Sequence, residues 1–250
     1  TAANAENLHR LLKQALDSGE AVSIEAAEAM FRGYRLAFHI EESSRADHQA
    51  ALLTGVALAR RVFLGGVTVT GDLDVPLAVP MPFGETLRRA VETLGAASAH
   101  APTGTPAVSI AASPGPRLAE FHVRTAFSGW RGGVVPAHAE AMPQRSAMPL
   151  APMLAAALAV NEAYLHVRGE RRDAGLRSQG LSLWHPHASV DWRLGDDTEP
   201  ALAYLPARLW LIGLGHLGQA YLWALGLLSY PKPSGLELLL QDVDAITASS

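Results

Sequence analysis

Hydrophobic positions recur along the chain at two periods, and the period changes at glycines and prolines. Leu8, Leu11, Leu12, Ala15 and Leu16 fall at helical spacing, and Gly19 ends that run. Ser23 opens a second helix, with Glu25 in its first turn, Ala26, Ala29, Met30 and Phe31 facing inward, and Gly33 at its close. The period then drops to two. Tyr34, Leu36, Phe38 and Ile40 alternate with polar or small residues, as in a half-buried strand. A helix is predicted over residues 46–63, with a core stripe of Leu52, Leu53, Val56, Ala59 and Val62. Gly65-Gly66 breaks it, and residues 67–70 read as the next strand.

Downstream, Gly71-Asp72-Leu73-Asp74 is a polar turn leading into a loop with Pro76, Pro80 and Pro82. A helix is expected over 86–94, and strands over 107–111 and 118–124. The glycine-rich stretch 129–135 reads as a tight connection ending in a short apolar run, and 137–146 as loop. A helix follows to about Val167, with Pro152 in its first turn and Leu154, Leu158, Asn161 and Leu165 inward. An arginine-rich turn, an edge strand near 181–184 and an irregular stretch lead to Ala207.

The most informative pattern comes last. The apolar run Leu209-Trp210-Leu211-Ile212 enters a G-x-G-x-x-G turn, Gly213-Leu214-Gly215-His216-Leu217-Gly218. An apolar helical segment follows to Leu228, and a second apolar strand, from Leu236, ends at Asp242. Strand, glycine turn, helix, strand and acid stand in the order of a nucleotide-binding βαβ unit. Gly213 would turn the chain sharply, Gly215 would let a phosphate approach the backbone, and Gly218 would let helix and strand pack closely. The unpaired N–H groups of the helix would face the phosphates. Asp242, 24 residues beyond Gly218, is at the spacing of an acid that accepts hydrogen bonds from ribose hydroxyls.

The fold class expected is therefore α/β. An N-terminal α/β domain occupies 1–177 and an irregular segment 178–206. The start of a Rossmann-like parallel-sheet nucleotide-binding domain occupies 207–250. One βαβ unit does not complete such a domain. Further strands are expected from a longer chain, a partner or the N-terminal sheet.

Composition narrows the chemistry. The chain has 250 residues, 49% of them hydrophobic and 18% charged, which excludes a disordered polypeptide. A net charge of −4 gives no general attraction to nucleic acid or anionic membrane. The absence of cysteine rules out disulfides, thiolate catalysis and Cys-type zinc sites, and a reducing cytoplasm is the expected location. No apolar leader opens the sequence, and the apolar stretch 147–160 contains two prolines and is too short to span a bilayer. His185-Pro186-His187 has incomplete metal-ligand spacing, so no metal site is assigned. Ser109, Ser146 and Ser182 lack a nucleophile-elbow context.

The glycine turn and the ending Asp242-Val243-Asp244-Ala245-Ile246 resemble the ThiF/MoeB/HesA adenylyltransferases, which include the ubiquitin-activating enzymes. The sequence departs from that pattern at His216, where the family has glycine, at Ser250, where it has asparagine, and in the inserted segment 229–234. The resemblance implies binding of ATP with Mg²⁺ and adenylation of a carboxylate on a ubiquitin-like protein or a small acyl partner. It implies a ribose-binding role for Asp242 and places Asp244 in the same acidic loop. A homodimer is the expected assembly. Catalytic residues are unassigned. Two alternatives use the same turn: an NAD(P)-dependent oxidoreductase, for which Asp242 favours NAD, and a non-catalytic interaction module.

Overall fold

The computed structural model describes residues 10–142, 144–146, 148–187, 191–194, 199–231 and 235–243. Two helices, α1 (Arg10–Asp17) and α2 (Ile24–Gly33), precede the first strand, β1 (Leu36–Ile40). Helix α3 (Ala46–Ala59), β2 (Val67–Thr70), α4 (Leu87–Thr93), β3 (Ala97–Ser98) and β4 (Ala107–Ile110) follow. Then come β5 (His122–Ser128), β6 (Arg131–Pro136), α5 (Leu150–Val167) and β7 (Gln179–Ser182). The chain continues through β8 (Arg208–Ile212), α6 (His216–Leu227) and β9 (Glu237–Gln241).

The expected α/β class holds. Seven strands form one sheet in the order β3-β2-β1-β4-β5-β6-β7, and β8 and β9 form a second, two-stranded sheet. From β3 to β5 all neighbours are parallel, whereas β6 and β7 run antiparallel. The parallel strands follow the order 3-2-1-4-5, running outward from β1 and β4 as in doubly wound sheets.

Alternation along β1 explains the layering. Leu36, Phe38 and Ile40 are buried and Ala37 and His39 half-buried. The buried residues meet α3, where Gly55 lets the Phe38 ring come so close that a Cβ there would lie 2.8 Å from it. Helix α5 packs on α3, β5 and β6, and the residues it buries include Ala151, Ala155, Ala156, Ala159 and Ala163. This corrects the expected inward stripe: Asn161 is exposed, and Leu154, Leu158 and Leu165 are only half-buried. Small side chains let the helix axis approach its neighbours, so alanines rather than leucines mark the contact. In α2 the buried residues are likewise Ala27 and Phe31, not the wider set expected.

The pairing of β5 and β6 differs most from expectation. The predicted strand 118–124 is displaced to His122–Ser128, and the glycine-rich connection is itself strand β6. Gly132 and Gly133 sit there because both faces are crowded. A Cβ on Gly132 would lie 2.3 Å from the Ala151 carbonyl oxygen of α5, and one on Gly133 would lie 2.4 Å from the Trp192 ring on the other side. Helix α5 is long and apolar enough to cross a membrane by length and composition, contrary to the expectation for this stretch. It packs on β5 and β6 as a core helix, and its buried Glu162 accepts hydrogen bonds from Gly175 N–H and Gln179 Nε2.

The second sheet is joined to the first body through α6. Trp223 stacks on Phe83 at a ring separation of 5.7 Å and donates from Nε1 to Thr54 Oγ1 of α3 at 2.9 Å. Leu227 is buried beside it. The other face of the two-stranded sheet is open: Trp210 is 59% exposed, Ile212 70% and Leu239 58%.

Candidate functional site

Strand β8 ends where its last residue meets the first glycine of the turn. Gly213 has φ +86°, a left-handed conformation that glycine adopts without strain. Its N–H donates to the Gln241 carbonyl at 2.8 Å, which ties the turn to the end of β9. Gly215 caps α6 with an extended backbone, and nothing lies within 4 Å of where its Cβ would be. Gly218 is the reverse case. A Cβ there would lie 2.1 Å from the Gly213 carbonyl oxygen, so the first turn of α6 rests directly on the strand exit. The three glycines thus have the three geometries the spacing implies: a sharp turn, an open backbone and a close helix–strand approach.

Asp242 is brought to the same place. Its Oδ2 accepts from the Leu214 N–H at 2.5 Å, so one carboxylate oxygen is held against the turn. His216 and Leu217 are exposed at the start of α6, and Leu214 is half-buried. Asp244, Ser249 and Ser250 lie outside the described residues. The arrangement suits a nucleotide: open backbone at a helix N-terminus for phosphate, and a carboxylate beside it for hydroxyl groups. Among the described residues, no group of three or more His, Asp or Glu side chains is placed to hold a metal ion.

A wider depression, about 490 Å³, lies at the amino ends of β8 and β9 and is lined by Arg208, Trp210, Glu237 and Leu239 among others. It is at the wrong end for this chemistry, because ligands of parallel sheets gather at the carboxyl ends of strands.

A Ser–His pair in the large sheet also has to be weighed. Ser109 Oγ lies 2.7 Å from His122 Nε2, both buried. The Leu118 N–H donates to His122 Nδ1 at 3.3 Å, so Nε2 carries the ring proton and donates to the serine. In that tautomer the imidazole cannot take the serine proton. Burial, with the nearby His39, Arg117 and Arg124 charges, pushes the His122 pKa down to about 4. Arg124 beside it is buried and donates to the carbonyls of Ala111, Ala112, Ala139 and Glu140, which clamps two loops together. The cluster is structural. Trp130, within the glycine-rich stretch, packs on Trp184 and donates to the Pro200 carbonyl.

One contact at the turn had no signal in the sequence. Arg61, just beyond α3, donates from Nη2 to Gln219 Oε1 in the first turn of α6 at 2.9 Å.

Residues 35–183 match the family model described as the BilD N-terminal domain, and residues 205–250 match that of the BilD C-terminal domain. The chain is similar to "Bacterial E1-like protein BilD" of Collimonas sp. (strain OK412), with 40% identity over 256 residues, covering 97% of this chain and 53% of the relative. The chain therefore spans about half the length of the curated relative it matches. These matches correct the assignment to the ThiF/MoeB/HesA family. The glycine turn and the acid after it are what any nucleotide-binding βαβ unit requires, so they do not by themselves separate one such family from another.

Proposed function

The chain belongs to the BilD family, and from that premise we propose that its glycine turn binds the nucleotide of an E1-like activation reaction. In this reading ATP is a substrate: a carboxylate oxygen of a ubiquitin-like or small acyl partner bonds to its α-phosphorus, the bond to the β-phosphate breaks, and pyrophosphate leaves. The chain's own residues bind and orient. The backbone N–H groups from Gly215 to Gly218 receive phosphate, with Gly215 leaving room for it. Asp242 accepts from ribose hydroxyls while one of its oxygens stays on the Leu214 N–H. The observation that carries the reading is that contact, because it joins phosphate cradle and ribose acid into one site.

Calorimetry on the full-length protein tests it. ATP or AMP should bind, and Asp242→Asn and Gly215→Val should each weaken binding by about tenfold or more, as expected for loss of a charge-assisted hydrogen bond or of close backbone approach. Binding of NAD(H) with no response to ATP would reject the reading in favour of redox chemistry. Unchanged ATP affinity in both variants would place the nucleotide elsewhere.

A further inference from the structure

The first turn of α6 is held from outside its own βαβ unit. Arg61 donates to Gln219 Oε1 at 2.9 Å, and Gln219 Nε2 donates to the Leu214 carbonyl at 3.4 Å. The Leu214 N–H in turn donates to Asp242. A line of hydrogen bonds therefore runs from the end of α3 through the glycine turn to the acid after β9. Arg61 is exposed and has no ion-pair partner among the described residues. A guanidinium has five N–H donors, and this contact uses one of them.

The helix end beside it does nothing to hold a cation there. The N-terminus of a helix carries partial positive charge, and a cation placed there is repelled rather than stabilised. Carboxylates are the usual partners at that end; none lies in the first turn of α6 itself, and the Asp242 carboxylate sits at the preceding turn with one oxygen already engaged by the Leu214 N–H. An anion bound at the turn would be attracted by the helix end and the arginine together. The planar, always-charged guanidinium also suits phosphate oxygens, which it can grip with two donors.

We infer that Arg61 is a phosphate-binding residue of the nucleotide site, contacting the distal phosphates of a nucleoside triphosphate while Gln219 keeps it at the turn. This rests on the nucleotide reading above. It gives the N-terminal domain a direct part in a site otherwise built by the last strands of the chain.

The test is titration of the full-length protein with ATP, ADP and AMP, for the parent, Arg61→Ala and Arg61→Lys. Removing the guanidinium should weaken ATP about tenfold or more and AMP less than about twofold, since only ATP carries the distal phosphates. Lysine should restore part of the loss, and ATP binding to the parent should fall more steeply with salt than binding to Arg61→Ala. Because the side chain is exposed, both variants should unfold at the parent's denaturant midpoint. Equal losses for ATP and AMP would mean that Arg61 only steadies the turn, and unchanged ATP affinity would mean that it has no part in the site; either overturns the inference alone. A parent that binds none of the three nucleotides overturns the nucleotide reading, and this inference with it.

Discussion

His122 shows how a buried side chain converts pH into stability. Its pKa is lowered from 6.5 to about 4, so the folded protein disfavours the protonated ring. The unfolded chain takes up that proton first as pH falls. The stabilising contribution is therefore complete above pH 6.5 and is lost progressively between 6.5 and 4, up to about 3 kcal/mol in all. Buried His48, whose ring accompanies Phe127, is also shifted down by burial and acts in the same sense. His122→Gln should flatten the fall in urea midpoint between pH 7 and pH 4.5; if variant and parent decline in parallel, His122 is not the group responsible. None of this was legible in the sequence, where His122 is one of ten histidines. Its partner Ser109 comes from a neighbouring parallel strand, and only the register of β4 against β5 brings the two together.

Secondary structure was legible where the side chains facing the core are large and fell out of view where they are small. The alternation of Leu36, Phe38 and Ile40 and the stripe Leu52, Leu53, Val56 and Ala59 locate β1 and α3 from periodicity, and both are buried as expected. Strand β6 looks like a connection in the sequence because Gly132 and Gly133 signal a turn when their neighbours are unknown; their cause is the Ala151 carbonyl on one face and Trp192 on the other. The glycine turn is the opposite case, since its spacing encodes a geometry that requires no knowledge of the rest of the fold. Two alanine substitutions separate its parts. Gly218→Ala forces a methyl to within 2.1 Å of a backbone oxygen that cannot move without unseating the strand exit, and should cost about 1–3 kcal/mol in the stability of the βαβ unit. Gly215→Ala meets nothing within 4 Å and has an ordinary φ of −62°, so its stability should stay within about 0.5 kcal/mol of the parent. Chemical denaturation followed through Trp210 and Trp223 fluorescence compares the two; equal costs would show that the close helix–strand contact at Gly218 is not what the turn requires.

At the scale of the whole molecule, the βαβ unit depends on the domain before it. A two-stranded sheet has little stability by itself, and this one leaves Trp210, Ile212 and Leu239 exposed on its open face. What anchors it is the opposite side of α6. Trp223 stacks on Phe83 and bonds Thr54, Leu227 is buried, and Gly226 lies against Met81. The sequence announced both halves of the molecule but not this joint, because its partners are separated by well over a hundred positions and carry no shared motif. Trp223→Ala removes the stack and the hydrogen bond together, and should free the βαβ unit while leaving the seven-stranded sheet intact. Hydrogen exchange on the full-length protein distinguishes the two bodies. Amides of β8, α6 and β9 should exchange at least tenfold faster in the variant, the equivalent of about 1.4 kcal/mol of lost local stability, with those of β1, β4 and β5 unchanged. The line from Arg61 to Asp242 crosses the same joint, so nucleotide affinity should fall in this variant although Trp223 itself is remote from the turn. Faster exchange in both sheets would show that they unfold as one unit, and unchanged exchange in β8 and β9 would show that the tryptophan does not hold them.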